Sequence, residues 1–278
     1  MKFNALVIDG DSLMYRCGFA AKGEPVENAL HSFKLQVQAI EEATECFLTR
    51  MYIKGEGNFR NALSVSRKYK GNRTQPPPEH YDAIVEYAVK YCKAVKVNGM
   101  EADDMCSVLL YNHRSMDSGF VLAAMDKDLW NTPGWHYNYN KKVLEYVTIE
   151  EANLNFLHQM LTGDSSDNIP GLPFLVSPFR SIDPGAEYKP KPVGTKRAQQ
   201  FLEGKSSKEA ALLVQDAYKA WGDFSNLPEE ETQRYFLEQG RLLWMTRRLN
   251  ADGTPVLWEP PAFLDWSVDW STQGDSVS

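Results

Sequence analysis

The chain opens on a short apolar run, Ala5 to Ile8, that stops at Asp9-Gly10-Asp11. A run this short and apolar at every position predicts a buried parallel strand with carboxylates at its C-terminal end. From Ala29 to Met51 apolar positions recur at helical spacing. They do so again from Glu79 to Ala94, just after three prolines at 76–78. Both stretches predict helices, the second opened by proline. Val95 to Val97 predicts a strand. Ala102 to Asn112 predicts a helix with Asp103 and Asp104 in its first turn, where the helix dipole tolerates acids. Phe120 to Met125 predicts a further strand, followed by Asp126 and Asp128. Strands alternating with helices predict an α/β domain around a largely parallel sheet flanked by helices. Such sheets bind ligands beyond the carboxyl ends of their strands, and the acids fall there.

Beyond about residue 150 the strand signal fades and helical spacing takes over. The pattern predicts an α/β core over residues 1–155, a helical region over 156–258 and a tail over 259–278. The tail is rich in Pro, Ser and Asp and is expected to be only partly ordered. Residues 174–192 have no periodicity and carry prolines at 178, 184, 190 and 192, which predicts a loop. Glu231 to Arg248 predicts an amphipathic helix, and Pro255 to Trp258 a short strand.

Composition narrows the class. The chain has 278 residues, 43% hydrophobic and 24% charged, as an ordinary globular protein does. No apolar run reaches the roughly 18 residues that a membrane helix needs. The N-terminal run is too short for a signal peptide, so the expected place is the cytoplasm, with no membrane partner and a monomeric chain. Cys17, Cys46, Cys92 and Cys106 contain no C-x-x-C pair and read as free thiols rather than a zinc site. The net charge of −7 looks wrong for a nucleic-acid binder, but its distribution matters more than its sum. Arg60, Arg67, Lys68, Lys70 and Arg73 form one basic stretch; Lys189, Lys191, Lys196 and Arg197 form another.

The acids are grouped as well: Asp9 with Asp11; Glu101 with Asp103 and Asp104; Asp126 with Asp128; Asp164 with Asp167. A single Asp-x-Asp is more often a turn or a helix cap. Several groups at strand ends and helix starts are harder to dismiss. Two carboxylates about 4 Å apart repel by roughly 4 kcal/mol at an effective dielectric of about 20. Acids converging on one cleft therefore call for cations, and oxygen-only ligands select Mg2+ or Mn2+. A phosphodiester and its transition state would suit Lys70 and Arg73 in Tyr69-Lys70-Gly71-Asn72-Arg73.

Taken in order, Val-Ile-Asp-Gly-Asp-Ser-Leu, Tyr-Lys-Gly-Asn-Arg, Glu-Ala-Asp-Asp-Met, Asp-Lys-Asp-Leu and Gly-Asp-Ser-Ser-Asp-Asn-Ile-Pro-Gly span residues 7 to 171. This series resembles the 5′-nuclease family of flap endonucleases and 5′-3′ exonucleases, which includes the 5′-exonuclease domain of bacterial DNA polymerase I. The stretch from Gly240 to Pro260 looks most like the exonucleases of small-genome bacteriophages. The resemblance implies a PIN-like nuclease core followed by a helical DNA-binding region. It implies two divalent ions, with Asp9, Glu101, Asp103, Asp104 and Asp126 around the first. Asp128, Asp164 and Asp167 would surround the second, with Asp104 between the two. Lys70 and Arg73 match the basic pair on the scissile phosphate, with Tyr69 beside the DNA. Gly171, Gly194 and Lys196 match the ends of a helix-turn-helix element that grips duplex backbone, with a potassium ion, K+, in its turn. The implied substrates are DNA with a 5′ end or flap and RNA–DNA hybrids.

The chain departs from that pattern in three places. Asp11 stands where the family often has a small residue. Ile53 stands where it usually has another aspartate; Glu56 is the nearby acid, and its substitution for that aspartate is left open by the sequence. Residues 174–192 interrupt the DNA-gripping turn; Arg180, Lys189 and Lys191 suggest that this loop contacts duplex backbone instead. The aromatic residues Tyr81, Tyr87 and Tyr91 could stack on bases, but at helical spacing they read first as core. Two rivals remain at this point. One is a haloacid-dehalogenase-type phosphatase, which needs a strand before its Gly-Asp motif, whereas Asn155 to Thr162 reads as a helix. The other is a protein that binds branched DNA without cutting it.

Overall fold

All five residues of β1 (Ala5–Asp9) are buried. Leu6 and Ile8 enter one apolar cluster and Val7 the other, so the strand needs cover on both faces. In the computed structural model, which describes residues 3–176 and 191–266, β1 lies inside a six-stranded sheet of order β3-β2-β1-β4-β5-β6. The other strands are β2 (Thr49–Lys54), β3 (Val95–Val97), β4 (Phe120–Ala123), β5 (Gly134–Asn138) and β6 (Val143–Val147). Every pairing is parallel except β5 with β6. The chain moves from β1 to β2 and β3 on one side, then crosses to β4 on the other. That reversal makes a topological switch point at the C-terminal ends of β1 and β4.

The helices are α1 (Gly10–Ala20), α2 (Val26–Thr44), α3 (Arg60–Leu63), α4 (Tyr81–Tyr91), α5 (Ala102–Asn112), α6 (Ile149–Thr162), α7 (Thr195–Leu202), α8 (Ser207–Phe224) and α9 (Glu229–Leu243). One face of the sheet is covered by α1, α2 and α4 through Leu13, Phe33, Ile40 and Ile84. On the other face Cys106 and Leu110 of α5 pack with Met245 from the C-terminal part of the chain. No helix among the described residues is long and apolar enough to cross a membrane.

The helix expected over Ala29 to Met51 stops at Thr44, and Glu45 turns into the left-handed region at φ 49°. Met51 and Ile53 also fit a period of two, and pairing with β1 from Leu6↔Thr49 to Asp9↔Tyr52 decides in favour of a strand. The expected helix from Glu231 to Arg248 ends at Leu243, because residues 245–256 return to the sheet-containing unit. In place of the expected strand at Pro255 to Trp258 there is one bridge, between Leu249 and Pro255.

Two compact units result. The first comprises residues 1–62, 73–155 and 245–256; the second comprises 63–72, 156–244 and 257–278. The second unit is built on fully buried Tyr218 of α8 and Phe236 of α9, whose rings meet edge-on at 5.1 Å. The Tyr218 hydroxyl donates to the Met160 carbonyl at 2.6 Å. Trp258 and Trp266 complete this core against Phe236.

Candidate functional site

In the first unit the acids stand along the C-terminal edge of the sheet. Asp9 ends β1 and caps α1, with its carboxylate accepting the Asp11 N–H at 3.2 Å and the Ser12 hydroxyl. It is only 3% exposed. Burial pushes the Asp9 carboxyl up to about 7; the Asp11 and Asp126 charges push the same way, while the Ser12 bond opposes them. Asp11 reaches sideways and accepts the Lys54 N–H on both oxygens, at 3.1 and 3.0 Å. Its carboxyl is also raised, first by burial and further by Glu101, against the Lys54 bond and charge. Asp126 follows β4 and accepts the Asp128 N–H at 2.9 Å. Glu101 caps α5, and Asp103 sits half-buried in the first turn of that helix. Among the described residues, no three Asp, Glu, His or Cys side chains are so placed that they could hold an ion as they stand. The donors are nonetheless all carboxylate oxygens, which suit a hard divalent cation, and Asp9 is pressed by two like charges that such an ion would offset.

Asp104, expected as a ligand between two ions, lies in an internal network. It is fully buried, and Arg60 donates to it through two nitrogens at 2.5 and 2.9 Å. It also accepts the Glu101 N–H and the Thr246 N–H, each at 3.2 Å. The Arg60 guanidinium, with the Thr246 bonds, holds its carboxyl below the usual carboxylate range in spite of the opposing effect of burial, the largest single influence. Both oxygens are engaged within the protein, by Arg60, Glu101 and Thr246. Arg60 likewise leaves the basic stretch: it is 2% exposed and belongs to this internal pair.

The second unit holds its own acidic group. Gly163 at φ +65° turns the chain out of α6, and Asp164 exchanges two main-chain bonds with Ile169. The Asp164 carboxylate accepts from Ser166 and from the Asp167 N–H. Asp167 accepts the Tyr69 hydroxyl at 2.7 Å and lies 3.6 Å from the Lys70 ammonium. Tyr69 was expected beside DNA, but it is 5% exposed and its hydroxyl is directed at Asp167. Gly171 was expected to grip a phosphate. It is buried instead: its N–H goes to Gln239 at 3.0 Å and its carbonyl accepts the Tyr235 hydroxyl at 2.8 Å. Gly194 caps α7 and, with Lys196, is exposed. Arg73, in the first unit, is exposed as well. The loop contact proposed for Arg180 and Lys189, and the expected potassium turn, lie outside the described residues; Lys191 is exposed.

Residues 4–153 match the family described as 5′-3′ exonuclease, N-terminal resolvase-like domain. The chain belongs to this family. A similar segment occurs in DNA polymerase I of Bacillus caldotenax, 28% identical over 201 residues, which are 62% of this chain and 22% of that protein. The 5′-3′ exonuclease of Buchnera aphidicola is 25% identical over 208 residues, 64% of this chain and 71% of that one. The chain thus spans about a quarter of the polymerases that it matches. Among solved structures, the chain resembles the bacteriophage T5 D15 flap endonuclease in complex with DNA and metal ions. The TM-score is 0.56 at 17% identity, covering 85% of this chain and 89% of that one. At that identity the likeness is one of fold.

Sequence reasoning missed the side chains that orient the acids. Ser12 follows Asp9 by three residues, a spacing that could have suggested a local bond. Arg60 and Thr246, both bonded to Asp104, lie 44 and 142 residues away from it, and no local pattern announces such partners. Of the aromatic residues read as core, Tyr81 and Tyr87 are packed against it, while Tyr91 is 60% exposed.

Proposed function

We propose that this chain hydrolyses phosphodiester bonds in DNA, from a 5′ end or at a 5′ flap, in a reaction that depends on Mg2+ or Mn2+. RNA–DNA hybrids are included among its substrates. The observation that carries this reading is the row of carboxylates, Asp9, Asp11, Asp126 and Glu101, at the switch point of a parallel sheet. Membership of the exonuclease family supports it, as does the fold shared with a flap endonuclease solved with DNA and metal ions.

In this reading Asp9, Glu101, Asp103 and Asp126 hold a divalent ion from the first unit. Asp128 is a further candidate there; the second unit has its own acids of the same chemistry, Asp164 and Asp167. A bound ion of this kind lowers the pKa of water and offsets charge on a phosphate. Ser12 keeps the Asp9 carboxylate oriented. Tyr69 orients Asp167, and Lys70 beside it carries positive charge of the kind that a phosphate recruits. Arg73 adds a second such charge. Asp104 works through others: by bonding Arg60 and the Glu101 main chain it fixes the start of α5, where Glu101 and Asp103 stand.

The test is direct. A labelled 5′ flap, a blunt duplex and an RNA–DNA hybrid are each incubated with Mg2+, with Mn2+ or with excess chelator. Cleavage from the 5′ side is expected with either metal and none with chelator. Full cleavage in chelator would defeat the metal-dependent mechanism.

A further inference from the structure

The sheet edge carries an acid at the end of β1 (Asp9), after β4 (Asp126) and after β3 (Glu101). Strand β2, which lies between β3 and β1, ends in Ile53-Lys54. Ile53 is 1% exposed and packed in the core, so it offers the edge nothing. The end of β2 is nevertheless occupied by a carboxylate, because Asp11 reaches across from α1. The Lys54 N–H, which both Asp11 oxygens accept, lies two residues past the last β1–β2 register pair, Asp9↔Tyr52. The Tyr81 hydroxyl also lies 3.5 Å from Oδ1. Glu56, the other acid near this place in sequence, sits on an exposed turn whose main chain is tied to Asn98 and Gly99.

The contact with Lys54 does not need a charge. An asparagine carbonyl would accept the same N–H at nearly the same place, without repulsion from Asp9 and Glu101. A carboxylate kept there, partly withdrawn from water beside two like charges, works against stability unless a cation is part of the folded state. We propose that Asp11 supplies the β2-end carboxylate of the divalent-metal set, in the place of the acid that β2 itself lacks. This inference rests on the metal-dependent reading given above.

The experiment is a calorimetric titration of Mn2+ into the full chain and its Asp9→Asn, Asp11→Asn and Glu56→Gln variants. Each is also melted in chelator. Asp11→Asn preserves the Lys54 bond and removes only the charge. It is expected to melt at or above the wild-type temperature without metal and to bind Mn2+ at least roughly tenfold more weakly, the scale seen when a metal site loses a supporting group. Glu56→Gln is expected to match wild type in both measurements. The assignment to Asp11 is overturned if Asp11→Asn binds Mn2+ like wild type while Asp9→Asn does not. It is equally overturned if Glu56→Gln is the variant that loses affinity, or if Asp11→Asn melts lower in chelator, which would mark a purely structural role. Absence of Mn2+ binding by wild type would overturn the metal reading itself, and this assignment with it.

Discussion

The Asp9 carboxyl, pushed up to about 7, must lose its proton before it can hold a cation. Divalent-ion affinity should therefore rise by about tenfold per pH unit below about pH 7 and level off above it. Titrations of Mn2+ between about pH 5.5 and 8.5 check this; a flat profile would remove Asp9 from the ligand set. The same shift has a sign for stability. A raised folded-state value means that the metal-free protein loses stability as pH climbs from the ordinary aspartate value, 3.8, to about 7. Asp104 runs the other way: its carboxyl is lowered, so its contribution is complete above the ordinary value and is lost on acidification. Removing one member of the buried Arg60–Asp104 pair should cost about 3–5 kcal/mol, while replacing both by apolar residues of similar volume should cost much less. Urea unfolding of Arg60→Met, Asp104→Leu and the double variant measures this, and additive losses in the double variant would refute it. The contrast shows what a sequence reveals. Asp9 and Asp104 belong to equally plain motifs, but only the three-dimensional partners of each tell a group held by Ser12 beside other acids from one that faces an arginine.

Elements with one dominant period were legible in advance. Helix α5 runs over Ala102–Asn112 as its spacing indicates, and β1 follows from its apolar run. Where two periods fit, tertiary pairing chose, as at β2. Strands β5 and β6 carried no usable signal: β5 buries His136 among aromatic neighbours, and β6 leaves Val143 and Leu144 exposed at the sheet edge. The turn after α6 was legible as a motif but not as a structure. Gly171 sits at φ +65°, and a Cβ there would meet the Gly163 nitrogen at 2.2 Å. The left-handed conformation alone costs a non-glycine residue roughly 1–2 kcal/mol, and the clash is with main chain that cannot give way. Gly171→Ala should therefore lower the melting temperature by more than about 5 °C, through several kcal/mol of lost stability. A melt within about 1 °C of wild type would mean that the Gly163–Gly171 approach is looser than described.

For the whole molecule, a cation that binds only the folded state stabilises it by about 2.7 kcal/mol at a hundredfold excess over its Kd. Mg2+ and Mn2+ should both raise the melting temperature, and K+ at equal ionic strength should not reproduce the effect. An unchanged melt across millimolar divalent metal would show that the acidic edge binds no ion. The motifs made the family readable from sequence. The division into units was less readable, because it does not follow the chain. Residues 63–72 belong to the second unit, where Tyr69 bonds Asp167, and residues 245–256 belong to the first. That return has a consequence for biosynthesis. A ribosome releases the chain from its N-terminus, yet the first unit lacks Met245 in its core, the Thr246 N–H on Asp104 and the Arg247 bond to the Asn131 carbonyl until residues near 250 have emerged. A nascent chain halted at residue 155 would have Asp9, Asp11, Glu101, Asp103 and Asp126 and an unfinished scaffold around them. Such a fragment should show weak amide protection in hydrogen exchange at β1 and α5, and a peptide of residues 245–256 added in trans should raise it. Order of synthesis would then delay completion of the first unit until residues near 250 had emerged.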